Sequence, residues 1–512
     1  MRKILGILVF LVLLVSVASC DDYDRWTTSP SARLTFSADT VSFDTVITGL
    51  SSPTKTLHVF NHNNDGVRIK SVRIVGGASS HFRANVDGQY LGNGIGEDFE
   101  VRRKDSIYIK LEVLLPEGDN DEPVHYEDQM LFTLESGVVQ TVCLKADGQD
   151  VIVMKGEVLT ADRTLEAGRP YLVYDSLVVE EGATLTLSPG VVMMMHDSVS
   201  INVRGRLQAE GTLEQPITFR GDRLDRLFDN LPYDNTTNRW GGIHFGAKSV
   251  DNILTQCDIH SGQYGVRLDS MAQEVLGQTA LTMRDCVIHN VEGCGFEARD
   301  TKALVIGTQI SNTLGHTVTL LGGYYTFVHC TIAQYYPWSY DCGDALNIAN
   351  TTDETREDAF HYLEKAEFVN CVIMGRAEDV VMGKIEEYQD LRCDYLFKNC
   401  YLRTVKSDDT ERFVNIVYDT DTLDFKKDDP DRPGRYGSSN FALMGTDYLY
   451  DFTPDSLSGI RGLADAVIIS RYNCSVDRNG VNRMSDGAPD AGAYEFHPAM
   501  MPEPKAVRRR QH

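Results

Sequence analysis

Basic residues are scarce in this chain: Lys and Arg total 49 against 74 Asp and Glu, a net charge of −25 over 512 residues. Nucleic-acid binding draws on basic side chains that release counterions from phosphates, so a nucleic-acid partner is excluded. The acidic excess suits solubility at a crowded surface. Cys-x-x-Cys is missing although the chain has 11 cysteines, so the usual signature of a zinc site is absent and no metal site is expected. Long apolar runs are missing too, with one exception. Ile4 to Val17 is almost unbroken, but it is shorter than the ~20 residues a spanning helix needs. With 42% hydrophobic and 24% charged residues, the chain has ordinary globular composition, and disorder is not the default.

The apolar run has the flanks of a signal peptide. Arg2 and Lys3 precede it, and Val17-Ala18-Ser19-Cys20 closes it with small residues before a cysteine. This ending resembles the bacterial lipobox. The resemblance implies that residues 1–19 are removed and that Cys20 is acylated, giving a membrane partner through a lipid anchor. Several acyl chains hold firmly where one holds weakly. Residues 20–32 then form an acidic tether. Asp21-Asp22-Tyr23-Asp24 resembles the export signal of surface lipoproteins in one glycan-foraging Gram-negative phylum, or is only a solvated spacer. The expected location is the outer membrane, facing either the surface or the periplasm.

Residues 33–150 carry short runs of period-two alternation, such as Leu57-His58-Val59-Phe60, Val67-Arg68-Ile69 and Ile107-Tyr108-Ile109. Turn signals such as Asn63-Asn64-Asp65-Gly66 and Asp87-Gly88 separate them at sandwich spacing. The layout resembles the immunoglobulin-like domains that follow the anchor in such lipoproteins, where they act as spacers.

From residue 151 the pattern changes. Ile201-Asn202-Val203-Arg204-Gly205 echoes Leu177 to Gly182, and a later motif recurs six times. Cys257-Asp258-Ile259-His260 aligns with Cys286-Val287-Ile288-His289, Thr308-Gln309-Ile310-Ser311, Cys330-Thr331-Ile332-Ala333, Cys371-Val372-Ile373-Met374 and Cys400-Tyr401-Leu402-Arg403. The steps are 29, 22, 22, 41 and 29 residues, a coil of 22 with insertions at its turns. Side chains alternate along a strand, so the first and third motif positions share the interior and the second and fourth should face solvent. The cysteines then stack on one inner ladder as buried free thiols, since neighbouring rungs lie farther apart than a disulfide spans. The run is similar to right-handed parallel β-helix proteins. The fold expected is all-β: an immunoglobulin-like β-sandwich, then a right-handed single-stranded parallel β-helix over 151–475.

Residues 476–497 include Asp477-Arg478-Asn479-Gly480 and Pro489-Asp490-Ala491-Gly492-Ala493-Tyr494-Glu495. They resemble the C-terminal segment of choice-of-anchor surface β-helix proteins, with Ala491 where that family has Ile. The resemblance implies a cap that closes the last coil, followed by a flexible tail, 498–512. Asp477, Asn479 and Asp490 could offer oxygen ligands to calcium, although Asp-x-Asn-Gly is equally a plain turn. No other cofactor is expected.

Parallel β-helices often meet polysaccharides, but a fold does not specify a site. The paired Asp, Gly-His-Gly and Arg-x-Lys set of polygalacturonases is missing. Two features stand out. His260 and His289 share an outward position on successive coils, about 5 Å apart, where they could bind a metal, transfer protons or simply stand exposed. The largest insertion carries Tyr336, Trp338, Tyr340, Asp341 and Asp344, rings beside carboxylates that either bind carbohydrate or pack on the coil. The leading expectation is non-catalytic binding of a glycan or other surface ligand. A polysaccharide lyase or glycoside hydrolase, and a structural or adhesive surface protein, are the alternatives.

Overall fold

The computed structural model describes residues 25–498, apart from 229, 353–359, 378, 384, 386–392, 420–439 and 447. The leader, the acylation expected at Cys20 and the tail from 499 lie outside the described residues. The chain divides into two compact units, residues 1–150 and 151–512. No described helix is long and apolar enough to cross a membrane.

In the first unit, two five-stranded sheets close on one core. Strand Val67–Ile74 shows why: Val67, Ile69, Val72 and Ile74 are buried, while the charged residues between them are exposed. Leu57, Val59, Ile109 and Leu111 do the same from the facing sheet. The pairings are antiparallel except that Thr40–Ile47 runs parallel to Val139–Gln149.

The second unit is a parallel coil. Each turn of the chain lays down up to three strands, for example Leu281–Arg284, Val287–Val291 and Phe296–Arg299, which pair in parallel with their equivalents one turn on. The inserted hairpins Arg226–Phe228 with Leu231–Pro232 and Phe441–Thr446 with Leu449–Pro454 are antiparallel. The motif register holds through the coil. Ile259 pairs with Ile288, Ile288 with Ile310, Ile310 with Ile332, Ile332 with Ile373 and Ile373 with Leu402, all buried.

Each coil bends sharply just before the motif. Gln256, Asp285, Gly307, His329, Asn370 and Asn399 all have φ between 48° and 59°. Asn, Asp and Gly tolerate this left-handed conformation best, which explains the residue types at the corner. The next residue is the ladder cysteine, and its thiol serves the bend. Cys286 Sγ donates to Arg284 O at 3.2 Å and to Leu254 O of the preceding coil at 3.4 Å. Cys330 and Cys371 repeat both contacts, and in the one rung without cysteine Thr308 Oγ1 donates to Ile306 O at 3.0 Å. The position therefore requires a small side chain with a weak donor. Burial pushes the thiols of Cys257 and Cys371 well above their ordinary pKa, and neighbouring thiols add to the effect. None of the ten described cysteines forms a disulfide.

A second inner ladder lies three residues ahead of the thiols. Phe327, Phe368, Phe397 and Phe413 stack ring on ring, with centroids 5.0, 5.1 and 5.2 Å apart.

The outer face differs from the alternation argument. Thr331, Ala333, Val372, Met374 and Tyr401, at the second and fourth motif positions, are buried and not solvated. Phe441, Phe452, Ile460, Ala491, Ala493 and Tyr494 cover them and form a second core. Residues 476–497 accordingly do not close the last coil; they lie along the flank of earlier coils, from Gln256 to Asn370. Ala493 N donates to Thr331 Oγ1, Gly492 N to Asn370 O, and Gln256 Nε2 to Arg478 O. Alternation reports which way a side chain points, and a remote segment decides whether water is there.

The Asp residues of this segment hold its own turns. Asp477 Oδ1 accepts from Asn479 N and Val481 N and its Oδ2 from Glu495 N, while Asp490 accepts from Gly462 N and Phe496 N. Their carboxylates serve the main chain. Fully buried Arg483 reaches Glu495 at 2.7 Å, at the centre of the same knot.

Candidate functional site

Among the described residues, the outer face over the early motif strands opens onto a cleft. There the strand Cys257–His260 aims Asp258 and His260 to the same side, and His289 sits beside His260 in register. The two imidazoles stack with centroids 4.9 Å apart, as the shared motif position requires. Asp258 Oδ1 is 2.9 Å from His260 Nδ1 and 3.3 Å from His289 Nε2. The far side of His260 is held as well. Its Nε2 lies 3.1 Å from Asp234 Oδ1, and Arg220 Nη2 approaches the same oxygen at 2.8 Å. Asp234 comes from the insertion after strand Ile217–Gly221, whose short 3-10 turn Tyr233–Asn235 folds over the sheet.

The electrostatics follow from this arrangement. Burial disfavours charge on His260, but Asp258 and Asp234 outweigh it and lift its pKa to about 9. Burial would raise the Asp258 carboxyl, yet the imidazoles of His260 and His289 hold it well below the carboxylate range. At neutral pH the cluster is a cation between two carboxylates.

Asp258 and His289 open onto a cleft of about 290 Å³. Its walls include Gln309 and Ser311 from the next coil, Asn290 and Asn312 from the bend after the motif, and Tyr448, Tyr450 and Arg478 from the covering segment. Asn290 and Asn312 take positive φ, 52° and 56°, so the chain turns away there and leaves their side chains at the cleft. Both are almost fully buried, and neither side-chain oxygen accepts a hydrogen bond. Buried acceptors are nearly always satisfied in folded proteins, so two orphans just behind one wall are unusual. A larger recess of about 540 Å³ on the N-terminal unit, around the exposed Arg68–Glu100 pair, gathers no buried polar group.

The aromatic insertion meets this cleft at one point. Trp338 stacks on Tyr448 with centroids 4.4 Å apart, and Tyr448 lines the cleft beside His289. Trp338 keeps 38% of its surface exposed and Tyr340 keeps 79%. Tyr336 is buried, with its hydroxyl against Thr237 Oγ1 at 3.3 Å. Asp344 is occupied with His316: its main-chain N–H donates to Nδ1 at 3.0 Å. Asp341 is exposed in a local turn with Ser339. So His260, His289 and Trp338 belong to one neighbourhood, Tyr340 and Asp341 remain on open surface, and Tyr336 serves packing. Sequence reasoning missed Asp258 and Asp234 as partners of the histidines. Asp258 was visible, two residues before His260 and so on the same face of the strand.

No protein-family model matches the chain, and no curated protein does. Among solved structures, the catalytic unit of a thermostable GH87 α-1,3-glucanase from Streptomyces thermodiastaticus matches at 9% identity over 71% of this chain and 88% of that one, TM-score 0.28. The catalytic domain of a GH87 α-1,3-glucanase in complex with tetrasaccharides matches at 8% identity over 72% and 90%, TM-score 0.20. A family 123 glycoside hydrolase from Clostridium perfringens matches at 8% identity and TM-score 0.17 over 23% of this chain, which spans a quarter of that protein's length. Likenesses this weak carry no argument about chemistry.

Proposed function

We propose that this chain is an outer-membrane lipoprotein, anchored through Cys20, whose right-handed parallel β-helix displays a non-catalytic glycan-binding cleft. The N-terminal unit is read as an immunoglobulin-like spacer. The observation that carries the binding reading is the cleft wall itself. Two buried amide oxygens without donors, Asn290 and Asn312, lie beside Gln309, Ser311 and Asp258 and next to the rings of Tyr448 and Trp338. Sugar hydroxyls would donate to the oxygens once the two amides turn towards the cleft, while an apolar CH face would lie against the aromatic edge.

The test is a glycan array probed with the mature protein, with a parallel assay for new reducing or unsaturated ends. Losing an aromatic anchor typically costs about 2 kcal/mol, roughly thirty-fold in affinity. Trp338→Ala is expected to weaken binding by about that factor with little change in thermal unfolding. A variant that unfolds early yet binds its glycan normally would place the ligand elsewhere. Released product ends would replace binding with catalysis.

The anchor has its own test. Cys20→Ser should release the protein from membranes and abolish incorporation of labelled fatty acid. Retention and labelling that persist in the variant would rule out the lipoprotein reading.

A further inference from the structure

We propose that Asp258, His260 and His289 form a binding site for one divalent first-row transition-metal ion of the zinc class, open towards the cleft. The proposal is independent of the glycan reading, because it rests on donor atoms alone.

Geometry comes first. One ligand atom from each residue can be chosen so that all three lie within 4.8 Å of one another. The pairs to Asp258 Oδ1 are 2.9 Å for His260 Nδ1 and 3.3 Å for His289 Nε2. With metal–ligand bonds of about 2.0–2.1 Å, tetrahedral ligands stand roughly 3.3–3.4 Å apart. One of the two pairs to Asp258 already has that spacing, the other must open by a few tenths of an ångström, and the third pair, between the imidazoles, lies within 4.8 Å. The positions are fixed by strands: His260 and His289 are register partners on adjacent coils, and Asp258 precedes His260 by two residues on the same face. Sites held on such rigid elements keep their geometry better than sites on loops.

The surroundings supply what a histidine ligand needs. A metal-bound imidazole normally donates its other N–H to a carboxylate, which fixes the tautomer and strengthens the ligand. His260 has a carboxylate within reach in Asp234, whose Oδ1 lies 3.1 Å from Nε2 and 2.8 Å from Arg220 Nη2 but accepts no well-aligned hydrogen bond in this arrangement. The ion would displace the Nδ1 proton that His260 otherwise holds against Asp258, leaving Nε2–H towards Asp234 and the Nδ1 lone pair for the metal. Two nitrogens and one carboxylate oxygen suit zinc and its neighbours, whereas calcium and magnesium require oxygen ligands in greater number. Asp258 and His289 are part-exposed at the cleft, so a fourth position is left to water or to a ligand group. Three protein ligands with one open position distinguish a working site from a closed structural one.

The test uses the full chain in detergent, stripped with a chelator and titrated calorimetrically with Zn²⁺ in the absence of any glycan. Co²⁺ is added separately to read a tetrahedral site by visible absorption. The wild type should bind one Zn²⁺ equivalent that His289→Ala loses, together with the Co²⁺ band. Asp234→Asn should weaken that equivalent by about 10–100-fold, and Ca²⁺ should not compete for it. Exposed pairs such as His125 with Asp147 can add background equivalents, which remain in every variant and cancel in the comparison. If His289→Ala fails to fold, judged by loss of protection of the buried thiols, Asp258→Asn is closest in volume and carries the same expectation. A wild type without the equivalent, or variants that keep it at unchanged affinity, would overturn the proposal. Glycan binding plays no part in this readout, so failure here leaves the glycan reading standing, and the reverse also holds.

Discussion

Phe368→Ala is expected to destabilise the coil by about 3–5 kcal/mol, the cost of emptying a buried aromatic site that cannot collapse. Phe368 is fully buried, and its ring stacks on Phe327 at 5.0 Å and on Phe397 at 5.1 Å, so the truncation breaks two contacts of one ladder. The cavity has little means of closing. Strand Leu363–Val369 is hydrogen-bonded on both sides, to Gly323–Val328 and to Cys393–Lys398, which fixes the coil spacing. In a solenoid each coil leans only on its neighbours, so the loss should be local and directional. Coils before Phe327 keep their contacts, while those after Phe397 lose their stacked partner. Denaturant unfolding of the coil should therefore gain an earlier phase that the wild type lacks, with protection lost first around Cys393–Lys398 and Tyr401–Leu402. Phe368→Leu, closer in volume, should cost less. A variant that unfolds in one transition with less than about 1 kcal/mol lost would show that the ladder relaxes and that the rings contribute area and no stacking.

The coil was legible in the sequence because its period and its alternation are both local. Cys257, Cys286, Cys330, Cys371 and Cys400 could be placed on one inner column by counting, and the structure stacks them there. The Phe ladder was equally available, three residues before each thiol in Phe327, Phe368 and Phe397, and went unread because the alignment began at the cysteines. The covered flank is another matter. Gln256 meets Arg478 across 222 residues, and nothing in a strand's own alternation reports a partner that distant. A hint did exist in the outward positions, which run from Asp258 and His260 to Val372 and Met374. Polar early rungs and apolar late ones mark where water ends and the second core begins. The histidine pair was found by register alone, but its role depends on Asp234, delivered by an insertion whose path no periodicity describes. Trp338 reaches the cleft only by stacking on Tyr448, a contact between two loops, and loops have no period to read.

Arg483→Met is expected to loosen residues 476–497 from the flank, and the loss should grow with pH. Arg483 and Glu495 are 0% and 1% exposed and 2.7 Å apart, and the guanidinium also donates to Gly492 O and Ala493 O. Glu495 accepts from Asp490 N through its second oxygen, so one ion pair ties both ends of the segment. Burial lifts the Glu495 carboxyl to about 8, against Arg483 and the Asp490 N–H, which both favour its ionised form. The folded pKa thus lies above the unfolded value of 4.5, so this group's contribution to stability is full below pH 4.5 and declines as pH rises towards 8. Removing the guanidinium leaves the carboxyl with no cation, and ionising it becomes costlier still. At pH 5 Glu495 is protonated with or without Arg483, and the variant loses only hydrogen bonds, on the order of 1–3 kcal/mol. At pH 8.5 the wild type gains from an ionised pair that the variant cannot form, so the difference should exceed that at pH 5 by about 1 kcal/mol, the gain open to a carboxyl at about 8. The measurement is hydrogen exchange at Val481, Glu495 and Phe496, whose amides are bonded to Asp477 and Asp490, because the flank can open without unfolding the coil. Glu495→Gln, which keeps one of the two acceptor contacts and removes the titration, should flatten the pH dependence. A loss in Arg483→Met that is equal at pH 5 and pH 8.5 would mean that Arg483 holds the segment by shape and hydrogen bonding alone.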